Sequence, residues 1–176
     1  EKGDGLRVAK QYRVAAYPSL LYFSSAGRAT HRVVGAFPAE EFIAAGKDAL
    51  ASDESMQDMY DQYNSGQYDQ PFLAQYLKHA NESAMAYRDA QKAYEKATEP
   101  EAILNPIDFE VFSSVYRNPN NKFFPYFKEN LDVFAKKFDQ EKVMDTYYMS
   151  YIMGAMQAVY QEKPDLAREY LSYVKD

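Results

Sequence analysis

Tyr17-Pro18-Ser19-Leu20-Leu21-Tyr22-Phe23-Ser24-Ser25-Ala26-Gly27-Arg28-Ala29-Thr30-His31-Arg32-Val33-Val34-Gly35 is the stretch from which the fold is read. Proline disfavours helical geometry in the residue before it, so Tyr17 is extended and any upstream helix has ended. Ser19–Phe23 is a continuous apolar run of strand length, the pattern of a strand buried on both faces. Ser24–Arg28 is a turn in which Gly27 is free to take positive φ. Thr30–Val34 is a second, β-branched run closed by Gly35. The short connection predicts an antiparallel hairpin. Upstream, Leu6, Val8, Ala9 and Tyr12 predict a short amphipathic helix. Downstream, Pro38 suits a first helical position, and Glu40 and Glu41 suit the first turn. Phe37, Phe42, Ile43 and Leu50 are the expected apolar positions of that helix.

Beyond residue 52 the grammar changes to helix throughout, with Ser52 or Asp53 as the expected cap. Met56, Met59, Tyr60 and Tyr63 mark one helix, stopped by Asn64-Ser65-Gly66. Phe72, Leu73, Tyr76, Leu77 and Ala80 mark the next, with Pro71 near its start. Tyr87, Ala90, Tyr94 and Ala97 mark a third. Val111, Phe112, Val115 and Tyr116 mark a fourth, ended by Asn118-Pro119-Asn120-Asn121. Phe124, Phe127, Leu131, Phe134 and Phe138 predict a single fifth helix. Met144, Tyr147, Tyr148, Tyr151, Ile152, Ala155 and Val159 mark a long sixth. Pro164 opens a seventh carrying Ala167, Tyr170, Leu171 and Val174. The expected class is therefore α+β, mostly α. Residues 1–52 form a β-hairpin with flanking helices, and 53–176 form an all-α multi-helix domain.

Charge divides at the same place. Residues 1–52 carry seven Lys/Arg and five Asp/Glu, whereas 53–176 carry thirteen and twenty-one. The whole chain of 176 residues has a net charge of −6, which argues against phosphate-backbone binding as its main task. No apolar run approaches the roughly 20 residues needed to cross a bilayer. Cysteine is absent and only His31 and His79 are present, so no thiolate chemistry and no all-histidine metal site is expected. His31 reads as an exposed strand residue, and His79 as a cation suited to a helix end. Glu40-Glu41, Asp53-Glu54 and Glu99-Glu101 fall at helix starts or in loops and read as dipole complements rather than acid–base pairs. No phosphate loop, Gly-x-Ser-x-Gly or His-Glu-x-x-His occurs, so no catalytic residue, metal or cofactor is expected. Asn81-Glu82-Ser83 fits a glycosylation acceptor, a pattern that arises readily by chance. Glu1 is not an initiator methionine and no leader follows it, so the chain reads as a fragment or processed product.

The order helix, X-Pro, strand, Gly turn, strand, Gly, helix resembles the second half of a thioredoxin domain. The residues that carry the resemblance are Leu6-x-Val8-Ala9-x-x-Tyr12-x-Val14, Tyr17-Pro18-Ser19-Leu20-Leu21-Tyr22-Phe23, Gly27, Val33-Val34-Gly35 and Phe42. Glu1-Lys2-Gly3-Asp4-Gly5 is similar to the loop after the second strand in bacterial thioredoxin family proteins, where a long helical tail also follows. The family's first strand, its Cys-x-x-Cys helix and its second strand have no counterpart here. The resemblance implies that Pro18 is the cis-proline that faces the dithiol. It also implies that Tyr17 offers its backbone to an extended protein or peptide substrate. It further implies a parent acting in thiol–disulfide exchange in the periplasm or cell envelope. The free edge of the hairpin would then pair with another copy or with the missing N-terminal segment.

A second reading, from another class, is a non-catalytic protein-interaction module built on the helical region. Asn64-Ser65-Gly66-Gln67-Tyr68-Asp69 resembles the turn of a tetratricopeptide repeat, although no period of about 34 residues is present. Tyr147, Tyr148 and Tyr151 with Met144, Met149, Met153 and Met156 predict a helix buried on several sides. The sharper alternative is a groove for a peptide or apolar ligand.

Overall fold

The structure, a computed structural model, describes residues 3–12, 14, 16–51, 56–83, 85 and 87–174. Among these residues the chain is α+β and mostly α, with ten α-helices and one two-stranded antiparallel sheet. It divides into two units, Glu1–Lys92 and Ala93–Asp176. The junction expected at residues 52 and 53, with its cap at Ser52 or Asp53, lies outside the described residues.

In the first unit, α1 (Asp4–Gln11) starts slightly earlier than its apolar spacing predicts and buries none of its residues. The Tyr17–Pro18 peptide is cis. β1 (Ser19–Phe23) and β2 (Ala29–Val34) pair from Ser19↔Val34 to Phe23↔Ala29, with an irregularity between Tyr22 and Phe23. The connecting turn closes through the Gly27 amide donating to the Ser24 carbonyl at 2.9 Å, with Gly27 at φ +77°. That conformation carries no penalty for a residue without Cβ.

β1 is not buried on both faces as its composition predicts: Ser19–Tyr22 are half-buried and Phe23 is exposed. The strand has one pairing neighbour among the described residues, and its cover is partial. Tyr22 meets the ring of Phe42 at 6.5 Å, and Phe23 meets that of Tyr12 edge-on at 5.1 Å. In α2 (Ala39–Ala51) the buried positions are Ala45 and Ala49. The larger apolar residues of this helix are less covered than their type suggests: Ile43 and Leu50 are exposed, Leu50 at 89%, and so is Phe42, although it shares the face of Ala45 and Ala49 and meets Tyr22.

α3 (Met56–Ser65) ends at Gly66, φ +74°. Asp69 then caps α4 (Gln70–Glu82), its Oδ1 accepting from the Phe72 amide at 2.9 Å, with Pro71 in the first turn. Across this turn the rings of Tyr68, Tyr63 and Tyr76 stack at 5.3 and 4.6 Å. α4 buries Leu73, Ala74, Tyr76, Leu77 and Ala80 at helical spacing. Arg28 in the hairpin turn pairs with Asp58 and Asp61 of α3.

α5 (Arg88–Ala97) runs across the division into the second unit. A 3₁₀ turn (Pro100–Leu104) and α6 (Pro106–Val115) follow. The core here is phenylalanine: Phe109, Phe112, Phe127 and Phe134 are fully enclosed, and the half-buried Phe138 stacks on Phe109 at 4.3 Å. One side chain organises the connection out of α6. Asn121 Oδ1 accepts from the amides of Phe123 (2.8 Å) and Phe124 (3.0 Å), while its Nδ2 donates to the carbonyls of Tyr116 (2.8 Å) and Asn118.

The single fifth helix predicted from Phe124 to Phe138 is two: α7 (Phe124–Glu129) and α8 (Leu131–Lys137). Asn130 breaks them at φ −118°, ψ 24° and donates from Nδ2 to the Tyr126 carbonyl at 2.9 Å. The side-chain amide thereby offers the backbone an alternative to helix continuation.

α9 (Gln140–Tyr160) is long as predicted, but it is buried along one face, not on several sides. That face consists of Val143, Thr146, Ser150, Tyr151, Gly154, Ala155 and Ala158, mostly small residues. The Thr146 and Ser150 hydroxyls donate to the carbonyls four residues earlier at 2.7 and 2.8 Å, which satisfies them without outside partners. α10 (Pro164–Ser172) packs on α9 through Ala167 and Tyr170. The approach is close enough that a Cβ on Gly154 would lie 2.6 Å from Pro119 Cδ and 3.0 Å from Tyr170 Cδ2. Gly154→Ala should therefore lower stability by about 1–3 kcal/mol, despite alanine's higher helix propensity. A urea titration checks this; an unchanged or higher midpoint would show that the seam can open without cost.

Candidate functional site

Tyr17 and Pro18 sit at the entrance to β1. The Pro18 carbonyl accepts from the Gly35 amide at 2.9 Å, and the Ser19 hydroxyl donates to the Ala16 carbonyl at 2.7 Å. These bonds anchor the segment to the hairpin's open end. The Tyr17 side chain is 78% exposed and Pro18 is also exposed. His31 is half-buried, with its ring 6.0 Å from that of Tyr22, and His79 is exposed on α4. A small cavity of about 60 Å³ in the first unit is bordered by Tyr12, Arg32, Met56, Tyr60 and Met85 among others. Arg32, on β2, is buried and donates to the Tyr12 carbonyl.

No grouping of His, Cys, Asp or Glu among the described residues could hold a metal ion, and no helix is long and apolar enough to cross a membrane. Glu40 and Glu41 occupy the first turn of α2, and Glu101 the first turn of the 3₁₀ segment, as their positions predict. Asp53-Glu54 lies outside the described residues.

The second unit presents an open groove of about 530 Å³ between α7, α9 and α10. Phe124, Lys128, Tyr151, Tyr170 and Tyr173 line it, together with the exposed carboxylates of Glu129 and Glu169. The Tyr151 and Tyr173 rings stack at 4.5 Å and 21°, and Phe124 meets Tyr151 edge-on at 5.2 Å. The Lys128 ammonium lies 4.8 Å from the Tyr173 ring centre and 5.8 Å from that of Tyr151, a cation–π arrangement. The Tyr170 hydroxyl donates to Asn120 Oδ1 at 2.9 Å, which fixes that wall. Burial raises the Tyr147 and Tyr151 phenols above the ordinary tyrosine range, so both are neutral at physiological pH.

Of the aromatic and sulfur residues singled out on the sixth helix, Tyr151 lines this groove and Tyr147 packs behind it, 5.1 Å from Tyr151. Met153 and Met156 are exposed, and Met144 and Tyr148 border a separate open depression with Asp139, Glu141 and Asp145. Lys128, Glu169 and Tyr173 carry no local sequence signal for this site, since Lys128 comes from α7 and Glu169 and Tyr173 from the end of α10, each remote in sequence from Tyr151 on α9. Comparisons with protein-family models, curated proteins and solved structures gave no match.

Proposed function

We propose that the first unit contains the substrate-facing half of a thioredoxin-like domain, and that the parent protein acts in thiol–disulfide exchange. The observation that carries this reading is the order of elements around Tyr17-Pro18. A helix precedes the exposed pair, a Gly-turned antiparallel hairpin follows at once, and a second helix returns against β2. The uncovered apolar side chains Leu6, Val8, Phe23, Phe42 and Ile43 support it, because they are the surface that further strands and helices of such a domain would cover. In this reading Tyr17 and Pro18 border the groove for an extended protein or peptide substrate, the outer edge of β1 receives the missing strands, and the parent works in the cell envelope.

The sequence upstream of Glu1 is the test. A cysteine pair about one strand and one loop before Glu1 is expected; its absence would remove the enzyme reading. The 176-residue chain alone should not reduce insulin disulfides, because it has no thiolate to attack one. Turnover by the pure chain above the buffer blank would contradict this.

A further inference from the structure

We propose that the tyrosine groove of the second unit is a docking site for a basic peptide, whose lysine or arginine head takes the place that Lys128 now holds beside the exposed Tyr173 ring and the buried Tyr151 stacked on it. The chain itself demonstrates the chemistry. The two stacked rings already hold an ammonium at 4.8 and 5.8 Å. Charge selects the occupant. With Lys128 swung away, the charged residues left in the lining are Glu129 and Glu169, both exposed and both attractive to a cation. An acidic peptide would meet two like charges.

Displacing the resident lysine is easy. Its side chain is exposed and flexible, and an exposed cation–π contact is weak. The groove is also open to solvent, with Pro119 and Pro125 among its lining residues, so a peptide segment can reach the rings. Lys128 then acts as a built-in competitor that keeps the rings covered until a stronger cation arrives.

The test uses the full chain and a fluorescein-labelled hexapeptide of alternating Arg and Gly, with a Glu-Gly hexapeptide as counterpart. Fluorescence anisotropy at low salt reads the affinity. The Arg-Gly probe should bind and the Glu-Gly probe should not. Lys128→Ala should tighten Arg-Gly binding about threefold to fivefold, by removing the competitor. Tyr173→Leu and Glu169→Gln, both at exposed positions, should each weaken it severalfold. Lys136→Ala, which removes an exposed lysine of α8 outside the groove, controls for diffuse charge. The proposal is overturned if Lys136→Ala tightens binding as much as Lys128→Ala does. It is equally overturned if the Arg-Gly probe does not bind, if Lys128→Ala weakens binding or leaves it unchanged, if folded Tyr173→Leu or Glu169→Gln binds as tightly as the unaltered chain, or if the Glu-Gly peptide binds better. Circular dichroism of each variant ensures that the comparison is among folded proteins; should Tyr173→Leu misfold, Glu169→Gln carries the same decision.

Discussion

Phe127→Ala or Phe134→Ala is expected to lower the unfolding free energy by about 3–5 kcal/mol. Both rings are fully enclosed. Phe127 lies 4.9 Å from Phe112, 5.0 Å from Phe134 and 6.2 Å from Phe109, and Phe134 lies 5.6 Å from Phe109. Removing either leaves a hole whose walls are other rigid rings, which cannot collapse into it as flexible chains would. The loss combines the transfer term with a cavity term that relaxation barely reduces. Since whole domains are stable by only about 5–15 kcal/mol, either change should bring the second unit close to unfolding. Guanidinium titration followed by circular dichroism reads the effect as a fall in midpoint. Leu131, half-buried at the start of α8, should show a smaller loss on truncation. A change well under about 1 kcal/mol at both phenylalanines would mean that this face is not the core.

Above pH 10 the second unit is expected to lose stability steeply. Tyr94 and Tyr116 are buried, and burial raises both phenols far above the ordinary tyrosine range. For Tyr94, Asp108 adds to the rise: the hydroxyl donates to its Oδ1 at 2.5 Å, and the carboxylate opposes a second negative charge. For Tyr116 the smaller contribution comes from Glu95. In the unfolded chain both ionise near pH 10. The folded state therefore holds protons that the unfolded state has released, and unfolding becomes more favourable as pH rises. The stabilising contribution is complete below the unfolded pKa and declines by about 1.4 kcal/mol per pH unit for each tyrosine. Urea midpoints measured between pH 9 and 12 check the slope. Tyr116→Phe should flatten it, because it removes one of the two buried phenols. Tyr94→Phe should flatten it too, but from a lower starting stability, since Asp108 loses a donor. An unchanged slope in Tyr116→Phe would rule out this origin.

The hairpin was legible because each of its features is local. Pro18, Gly27 and Gly35 punctuate two apolar runs, and such punctuation acts through backbone geometry alone. Gly66, Pro71 and Pro164 set helix limits in the same way. Exposure was not legible. Leu20 to Phe23 read as deeply buried, but how deep a strand lies depends on what covers it, and residue type does not carry that. In α2, hydrophobicity pointed to Ile43 and Leu50, whereas the face that lies inward is the one small enough for close approach, Ala45 and Ala49. α9 repeats this on a larger scale: Met and Tyr drew attention, while Thr146, Ser150, Gly154 and Ala158 make the seam. The break at Asn130 was hidden because Phe124, Phe127, Leu131, Phe134 and Phe138 keep helical spacing straight across it. The tyrosine groove was half-visible. Tyr147 and Tyr151 stood out, but Lys128 and Tyr173 come from other helices, and no spacing rule joins them.

Asn121 ties the end of α6 to the start of α7 with one planar amide, whose oxygen faces two N–H groups and whose nitrogen faces two carbonyls. Only one orientation of the amide satisfies all four, and no other side chain of that length offers both a double donor and a double acceptor. Deamidation, which exchanges that nitrogen for oxygen, would leave the shape almost unchanged and turn two attractions into two repulsions. The order of this connection therefore depends on the survival of a single hydrolysable bond, so the protein's age in solution, and not only its sequence, enters its stability.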